Sequence, residues 1–379
     1  MEKSIYLDHA ATTPLCEVVL QKMLPYFSVA YGNADSPHSF GRKTMGAVDL
    51  ARDKVAGLIN AKQNEVYFTS GGTEADNWAI IGAALAKAKE GRKRILLSPI
   101  EHHAVLSAVE RLQAYGFTVT YLPVNSSGRV RIDDVAKATD EQTALVCLMA
   151  ANNETGVLQP IQECAKIAHE HGALFFTDAV QYAPYMPIDV KALDVDLLSF
   201  SAHKFYGPKG VGMLYIKNGT KMEKLVGGGE QERGMRGGTL NVPAIVGLAE
   251  AYALTRAEMQ EANEKIAGLA KLFLDNIADL DGVTKNAEPD LPALLNLRIQ
   301  GVENTALLYK MDLLGVCFAA GSACASASVK PSHVLTAMGL DEKGAKESVR
   351  ISFGKDNTEE EVITAAQLLK KTVQELRKF

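Results

Sequence analysis

The sequence lacks the features that mark membrane, secreted or nucleic-acid-binding proteins. Its net charge is only -5 over 379 residues, so no basic excess favours nucleic acid or an anionic membrane surface. Apolar stretches such as residues 78–86 hold about nine residues, fewer than half of the ~20 that a membrane span needs. The first residues contain no apolar segment typical of a signal peptide. We therefore expect a cytoplasmic protein with no nucleic-acid or membrane partner.

Cysteine is scarce and unpaired. The five cysteines are an odd number without C-x-x-C spacing, which argues against a disulfide framework. They form no cluster with histidine that would predict a metal site. Four lie in apolar or helix-like stretches, where packing is the expected role: Cys16, Cys147, Cys164 and Cys317. Cys324 differs, because residues 319–328 contain no large side chain to anchor it.

The order of predicted elements indicates an α/β fold. From about residue 62 to 216, short apolar strand-like runs alternate with helical patterns, which predicts right-handed β-α-β units and a mainly parallel sheet. A long helical stretch and further strands follow. We expect a large α/β domain over residues 15–250. Residues 1–14 and 251–379 should form a smaller α+β domain that carries the Cys324 segment.

Two polar residues follow successive predicted strands. Asp178 ends the run 173–177, and Lys204 comes just after the run 196–200. Ligands of parallel sheets bind at the carboxyl ends of the strands. Alone, the aspartate would be a helix cap and the lysine a solvated side chain. Together they are what pyridoxal phosphate needs, a lysine for its aldehyde and a carboxylate for its pyridine nitrogen.

The sequence also contains a candidate phosphate-binding turn. Gly71 and Gly72 lie between a predicted strand and a predicted helix from about Thr73. Free backbone N–H groups and the positive end of the helix dipole suit an anion there. The G-x-x-x-x-G-K-[ST] motif of nucleotide-binding loops is absent.

These features, taken with several longer motifs, resemble cysteine desulfurases of the NifS/IscS type. The resemblance covers essentially the whole chain. Its motifs are residues 6–14, Glu101–His103, Asn152–Gly156, Asp178–Gln181, Ser199–Lys204, Gly207–Gly210, Glu232–Arg236, Gly321–Cys324 and Ser348–Arg350. The resemblance implies a fold-type-I, class-V-aminotransferase-like enzyme that uses pyridoxal phosphate. In this fold a mainly parallel seven-stranded sheet forms the large domain, and a smaller α+β domain lies at the C-terminus.

The resemblance assigns roles around the cofactor ring. It implies that Lys204 holds the aldehyde as a Schiff base and moves the Cα and C4′ protons. Asp178 pairs with the pyridine nitrogen, and Gln181 contacts the ring hydroxyl. His102 stacks on the ring and is a candidate acid/base, whereas His103 is expected to be structural.

The phosphate and substrate groups are assigned in the same way. The residues implied to bind the cofactor beyond the ring contacts are Gly72, Thr73, Ser201, His203 and Asn153. Thr239 resembles the residue that reaches the phosphate of the neighbouring subunit, which implies a homodimer with two shared sites.

The substrate side is implied by the same resemblance. Arg350 should bind the substrate carboxylate as a bidentate fork, with Asn153 assisting and Asn33 nearby. Ala34 replaces the family's usual proline after Asn33, a change expected to loosen this loop. Arg233 and Arg236 are equally compatible with a functional and a salt-bridge role.

The implied reaction centres on Cys324. Its thiolate would take the sulfur of L-cysteine as a persulfide, leaving L-alanine, and pass the sulfur to an acceptor such as an iron–sulfur scaffold. Segment 319–328 resembles the branch with a longer catalytic loop. The alternatives left open are a selenocysteine lyase, a cysteine-sulfinate desulfinase or an aminotransferase on the same fold. A catalytically silent scaffold is disfavoured by the presence of the implied site residues.

Overall fold

A seven-stranded sheet organises the larger part of the molecule. The computed structural model describes residues 4–321 and 331–378, so Cys324 lies outside the described residues. Within those ranges, no helix combines the length and the hydrophobicity needed to cross a membrane.

The strands and helices of the first part of the chain follow the predicted alternation. The strands are β1 (Ile5–Tyr6), β2 (Val66–Thr69), β3 (Arg94–Leu97), β4 (Thr118–Tyr121), β5 (Thr143–Cys147), β6 (Leu174–Asp178), β7 (Leu197–Ser201) and β8 (Gly212–Ile216). The α-helices are α1 (Glu17–Met23), α2 (Pro25–Ser28), α3 (Ser39–Leu58), α4 (Gly72–Ala88), α5 (His103–Gln113), α6 (Ile132–Ala138), α7 (Ile161–Glu170) and α8 (Val190–Leu193). Short 3-10 helices cover Gln63–Glu65, Ala202–Lys204 and Gln231–Gly234.

The sheet has the order β2-β8-β7-β6-β5-β3-β4. Strands β7, β6, β5, β3 and β4 are parallel neighbours, and β8 runs antiparallel between β2 and β7. The predicted mainly parallel seven-stranded sheet is therefore confirmed. Because β2 points the same way as β7, the loops after β2, β3, β5, β6 and β7 open at one edge.

Helices cover both faces of the sheet, and alternate side chains of each strand enter two different cores. Phe175 and Leu198 pack with α3, α7 and the start of the long helix described below. Phe176 and Leu197 pack on the other face with α4 and α5. Strands β5, β6 and β7 are buried almost throughout, as expected of parallel strands covered on both faces.

The rest of the described chain has its own core, built around a smaller antiparallel sheet. Its strands are β9 (Val283–Lys285), β10 (Leu294–Ile299), β11 (Val316–Cys317) and β12 (Ser348–Ser352), and its helices are α9 (Val242–Asn276), α10 (Asn304–Leu313), α11 (His333–Ala337), α12 (Glu342–Lys346) and α13 (Glu359–Leu376). The order is β12-β10-β9, while β11 pairs with β1 in parallel. Helix α13 begins at a capping box formed by Thr358 and Glu361.

Helix α9 belongs to both cores. Its start, including Leu248 and Tyr252, packs with the large sheet, and its later part, including Leu269 and Phe273, packs with the small one. The predicted long helical stretch is thus present as a single helix that ends at Asn276. We retain the division near residue 250 as a proposal, which the separation of these two cores supports.

Candidate active site

Most of the predicted site residues meet in one cavity of about 190 Å³ at the carboxyl edge of the large sheet. Its lining includes Gly72, Thr73, His102, Asn153, Asp178, Gln181, Ser201, His203, Lys204 and Arg350. They come from the segments that follow β2, β3, β5, β6 and β7, and from β12. The parallel strands bring together residues that are far apart in sequence.

Lys204 lies at the end of the 3-10 helix that follows β7. Its Nζ donates hydrogen bonds to the backbone carbonyls of Ala10 (2.6 Å) and Ala11 (2.9 Å). Gln181 donates from Nε2 to the same Ala10 carbonyl at 2.7 Å. The N-terminal segment therefore crosses the cavity and orients both side chains, a contribution that the sequence pattern did not predict.

Asp178 is the last residue of β6 and is buried. Its Oδ1 accepts a hydrogen bond from the Val180 N–H at 2.8 Å. Burial raises the pKa of this carboxyl, and the Val180 N–H and the Lys204 ammonium act in the opposite direction. A cationic group in the cavity would be stabilised by this carboxylate, because it would replace the solvation lost on burial.

A second buried carboxyl, Asp76 on α4, lines the same cavity. Its Oδ1 accepts from the Ser199 hydroxyl at 2.5 Å, and burial followed by the nearby Asp178 raises its pKa. Sequence reasoning missed Asp76, although an acid in an otherwise apolar helix was a usable signal. Asp76, His102 and Asp178 bring possible metal-ligating atoms within 4.8 Å of one another. These three side chains line the same cavity as Lys204.

His102 is the N-cap of α5, and its extended backbone begins the helix there. Its Nδ1 accepts from the Ala104 N–H at 3.2 Å, so the proton of the neutral ring is on Nε2. Burial, and then the charges of Lys204 and two nearby histidines, lower the pKa of His102 to about 4. The ring is therefore neutral near pH 7 and can stack on an aromatic ring without adding charge.

The predicted glycine turn before a helix is present, at the N-terminus of the 17-residue helix α4. A Cβ at Gly72 would lie 2.9 Å from the Val180 methyl group, so a larger residue here would force the Val180 side chain to move. Thr73, Ser201 and His203 line the cavity beside it. Burial lowers the pKa of His203 to about 4, and its Nδ1 lies 3.2 Å from the Thr12 hydroxyl.

Arg350, in the middle of β12, is 1% exposed. Its Nη1 donates to the Asn153 carbonyl at 2.9 Å, and its Nη2 pairs with Asp8 Oδ1 at 2.7 Å. Its buried Nε has no hydrogen-bond partner. Arg350 lines the cavity, and a guanidinium there suits an incoming acceptor such as a carboxylate. The role of Asp8 was not predicted.

The segment that contains Cys324 begins beside this arginine and ends beside Glu154, the neighbour of the cavity-lining Asn153. Ala319 exchanges two backbone hydrogen bonds with Arg350, at 3.1 and 2.7 Å. At the other end, Ser332 donates to Glu154 Oε2 at 2.5 Å, and Gly321 packs against the same Glu154 carboxylate. Both flanks of residues 322–330 are thus held next to the cavity.

The remaining predicted residues lie elsewhere. Asn33 and Thr239 are exposed and do not line the cavity. Arg233 stacks over the Tyr67 ring, 4.1 Å from its centroid, and Arg236 forms an ion pair with Glu74. For Asn33 and Thr239, the predicted roles stay predictions.

Comparisons with known proteins agree with this geometry. Residues 5–364 match the aminotransferase class-V family. The cysteine desulfurase IscS of Clostridium botulinum (strain Hall) is 46% identical, with 100% of this chain and 96% of that protein covered. The putative cysteine desulfurase IscS 1 of Bacillus subtilis (strain 168) is 49% identical over 98% of this chain and 99% of its own length.

Solved structures give the same result. A NifS-like protein superposes with a TM-score of 0.91 at 36% identity, covering 99% of this chain and 100% of that one. The structure described as SspA in complex with cysteine has a TM-score of 0.82 at 34% identity, covering 94% and 100%. The chain belongs to the aminotransferase class-V family. More particularly, the Clostridium relative is named a cysteine desulfurase and the Bacillus relative a putative one, and the resemblance to NifS/IscS enzymes seen in the sequence is confirmed.

Glu101, just below His102, is fully enclosed. Its Oε1 accepts from the Ser98 hydroxyl (2.6 Å) and the Met149 N–H (3.0 Å), whereas its buried Oε2 has no partner. Burial, with a smaller contribution from Asp178, raises the pKa of Glu101 to about 8. Glu101 is therefore protonated near neutral pH.

We predict that Glu101 makes stability fall as pH rises from about 4.5 to about 8. The folded state holds this proton over that range and the unfolded state does not. In Glu101→Gln this contribution is absent. When the pH is raised from 5.5 to 8.5, the thermal unfolding midpoint of Glu101→Gln should therefore fall less than that of the wild type. Glu141→Gln, at an exposed carboxylate, is the control, and an equal shift in all three proteins would contradict the prediction.

Proposed function

We propose that this chain is a pyridoxal-phosphate-dependent cysteine desulfurase. It would convert L-cysteine to L-alanine and keep the sulfur as a persulfide on Cys324. The observation that carries the proposal is the convergence of Lys204, Asp178 and Arg350 in one cavity, beside the flanks of the Cys324 segment. The names of the relatives, and a structural neighbour that holds cysteine, support the same substrate.

The donor set fits the cofactor from end to end. Lys204 would hold its aldehyde carbon, Asp178 its ring nitrogen and Gln181 its ring hydroxyl, with His102 stacked on the ring. Gly72, Thr73, Ser201 and His203 would hold the phosphate at the start of α4. When bound, pyridoxal phosphate supplies an electron sink that lets the Cα–H bond of an amino acid break.

The lysine amine is the group placed to move protons. Its Nζ is oriented by the Ala10 and Ala11 carbonyls. The residue lines the same cavity as Asp178. We propose that Lys204 takes the substrate Cα proton and returns it elsewhere on the bound molecule. His102, neutral with its proton on Nε2, can donate to a leaving or developing anion.

Arg350 would bind the substrate carboxylate. Its Nη atoms are oriented by Asn153 and Asp8, and the residue lines the cavity. Asp8 keeps the buried guanidinium paired before substrate arrives, because an uncompensated buried charge is strongly destabilising. Asn153 thus assists through its backbone carbonyl, which holds the arginine in place.

The sulfur step would use the Cys324 thiolate as nucleophile. A bond forms between Cys324 Sγ and the substrate Sγ while the substrate Cβ–Sγ bond breaks. The electron pair of that bond stays with the substrate carbon skeleton, which takes up a proton to become the methyl group of L-alanine. The transferred sulfur remains as the persulfide, so no external oxidant is needed. An acceptor such as an iron–sulfur scaffold, and a cytoplasmic location, stay predictions.

Cys324→Ala should abolish sulfide release from L-cysteine while cofactor absorbance and the thermal midpoint stay as in the wild type. The reason is that the thiol accepts the sulfur but does not hold the cofactor. Cys317→Ala is the matched control and should keep full activity, since Cys317 lies in β11. Undiminished sulfide release by Cys324→Ala would refute the mechanism and favour a lyase that does not need this thiol.

Arg350→Lys should raise the KM for L-cysteine by about tenfold or more, equivalent to ~1.4 kcal/mol or more of lost binding. A lysine offers a point charge in place of the fork that reaches Asn153, Asp8 and the substrate. The control is Arg298→Lys on the adjacent strand β10, where the arginine pairs with Glu347. Steady-state kinetics measure both, and an unchanged KM in Arg350→Lys would exclude a carboxylate-binding role.

We also propose a homodimer with shared sites. Among the described residues, large exposed apolar side chains are frequent between positions 18 and 50: Val18, Leu24, Phe27, Val29, Tyr31, Phe40 and Leu50. Such clusters mark interfaces. A hydrogen bond from Gln231 to Asp35 at 2.5 Å joins this surface to the loop that carries the exposed Thr239.

Light scattering should give twice the chain mass for the wild type. A double change, Phe27→Glu with Tyr31→Glu, should lower it because charges would enter the proposed interface. Leu313→Glu, at the highly exposed end of α10, is the control and should leave the mass unchanged. A monomeric wild-type protein would contradict the proposal.

A further inference from the structure

We propose that Arg236 is a positioning residue for the phosphate end of the cofactor site, acting by neutralising Glu74 at the start of α4. The inference rests on the proposed function, because it assumes that the cofactor phosphate binds at this helix end. Arg236 is one of the two arginines, with Arg233, for which the sequence left a functional and a salt-bridge role equally open. The geometry joins the two roles.

Glu74 occupies a position where its charge matters. It is the third residue of α4, directly after Gly72 and Thr73, which line the phosphate end of the cavity. Its Oε2 accepts the Ser70 N–H at 2.9 Å. A helix N-terminus attracts anions through free N–H groups and its dipole. A carboxylate in the first turn uses part of that attraction and repels a phosphate.

Arg236 cancels this charge with a bidentate pair. Its Nε donates to Glu74 Oε1 at 2.8 Å, and its Nη2 donates to Oε2 at 2.9 Å. The two side chains are only 19% and 15% exposed, so solvent screens the pair less than it would at the surface. Burial acts to raise the pKa of Glu74, but the hydrogen bonds from Arg236 and Ser70 outweigh it. The net result is a lowered pKa, so Glu74 is ionised at neutral pH.

The loop that carries Arg236 is anchored by hydrogen bonds to β2, the strand that precedes the glycine turn. Glu232 accepts both Nη groups of Arg52, at 2.6 and 2.7 Å, and the N–H of Phe68 in β2. Glu232 and Arg233 both have left-handed backbone, with φ of 47° and 57°. Non-glycine residues persist in such conformations only where surrounding contacts hold them.

The same loop closes on itself just beyond Arg236. The Gly237 N–H donates to the Val226 carbonyl at 3.1 Å. A Cβ at Gly237 would lie 2.7 Å from the Gly228 Cα, so the two backbones meet at a distance that glycine alone permits. Arg236 is therefore held in position before any ligand binds, unlike a surface ion pair that forms and breaks freely.

A purely structural tie and a charge-neutralising role predict different affinities. If the pair only braces the loop, removing either partner weakens cofactor binding, and removing both is no better. If charge sets the affinity, removing Arg236 alone leaves an anion beside the phosphate and weakens binding, whereas removing Glu74 alone leaves a cation there and does not. Removing both restores the balance.

The test is titration of the full-length apoenzyme with pyridoxal 5′-phosphate and, separately, with pyridoxal, which lacks the phosphate. Binding is followed by cofactor absorbance and protein fluorescence. We expect Arg236→Met to weaken pyridoxal-phosphate binding by roughly tenfold, as expected for one charge at partly screened distance. Glu74→Gln should bind at least as tightly as the wild type, the double variant should return close to it, and pyridoxal affinity should stay constant.

The outcomes separate the possible failures. A wild-type apoenzyme that does not bind pyridoxal phosphate overturns the proposed function itself. The charge role is overturned if the double variant binds pyridoxal phosphate as weakly as Arg236→Met does, or if Arg236→Met loses affinity for pyridoxal to the same extent. Either result would mean that the ion pair only braces the loop. Should Arg236→Met fail to fold, judged by its thermal midpoint, Glu74→Gln and Arg236→Lys decide. Weaker binding of pyridoxal phosphate by Glu74→Gln refutes the proposal, and near-wild-type binding by Arg236→Lys supports it.

Discussion

The buried guanidinium of Arg350 is the interaction on which the arrangement of the site depends. It joins Asp8 near the N-terminus and Asn153 after β5 to a strand near the end of the chain. A buried charge must be paired and hydrogen-bonded to be tolerated. The N-terminal segment is therefore held over the cavity, where its carbonyls orient Lys204. One connected network therefore positions the residues that we propose to bind substrate and to move protons.

Burial, rather than net charge, sets the electrostatics of the cavity. Asp76, Asp178 and Glu101 lie close together, and burial raises the pKa of each. The same effect lowers the pKa of His102 and His203 to about 4. Near neutral pH, Glu101 holds its proton and the two histidines lose theirs, so fewer full charges remain in and around the cavity than its residue types would suggest.

The sequence predicts those parts of the site that are local. Asp178 and Lys204 follow strands, and the glycine turn precedes a helix, so short patterns suffice. Asp8 pairs with a residue 342 positions away and Arg236 with one 162 away, and no short pattern encodes such pairing. Boundaries fail for a similar reason. Strand β5 ends at Cys147, although the apolar run continues to Ala150, and just beyond it the Met149 N–H donates to the distant Glu101 carboxyl group.

The 35 residues of α9 form one unbroken helix, about 52 Å long at ~1.5 Å per residue. Its two ends are buried in different cores. The helix therefore connects the large sheet rigidly to the small sheet that carries Arg350, like a rod. A hinge between the cores cannot form without bending or breaking this rod. Strain in one core is thus passed to the other, and the two should melt together as a single cooperative unit.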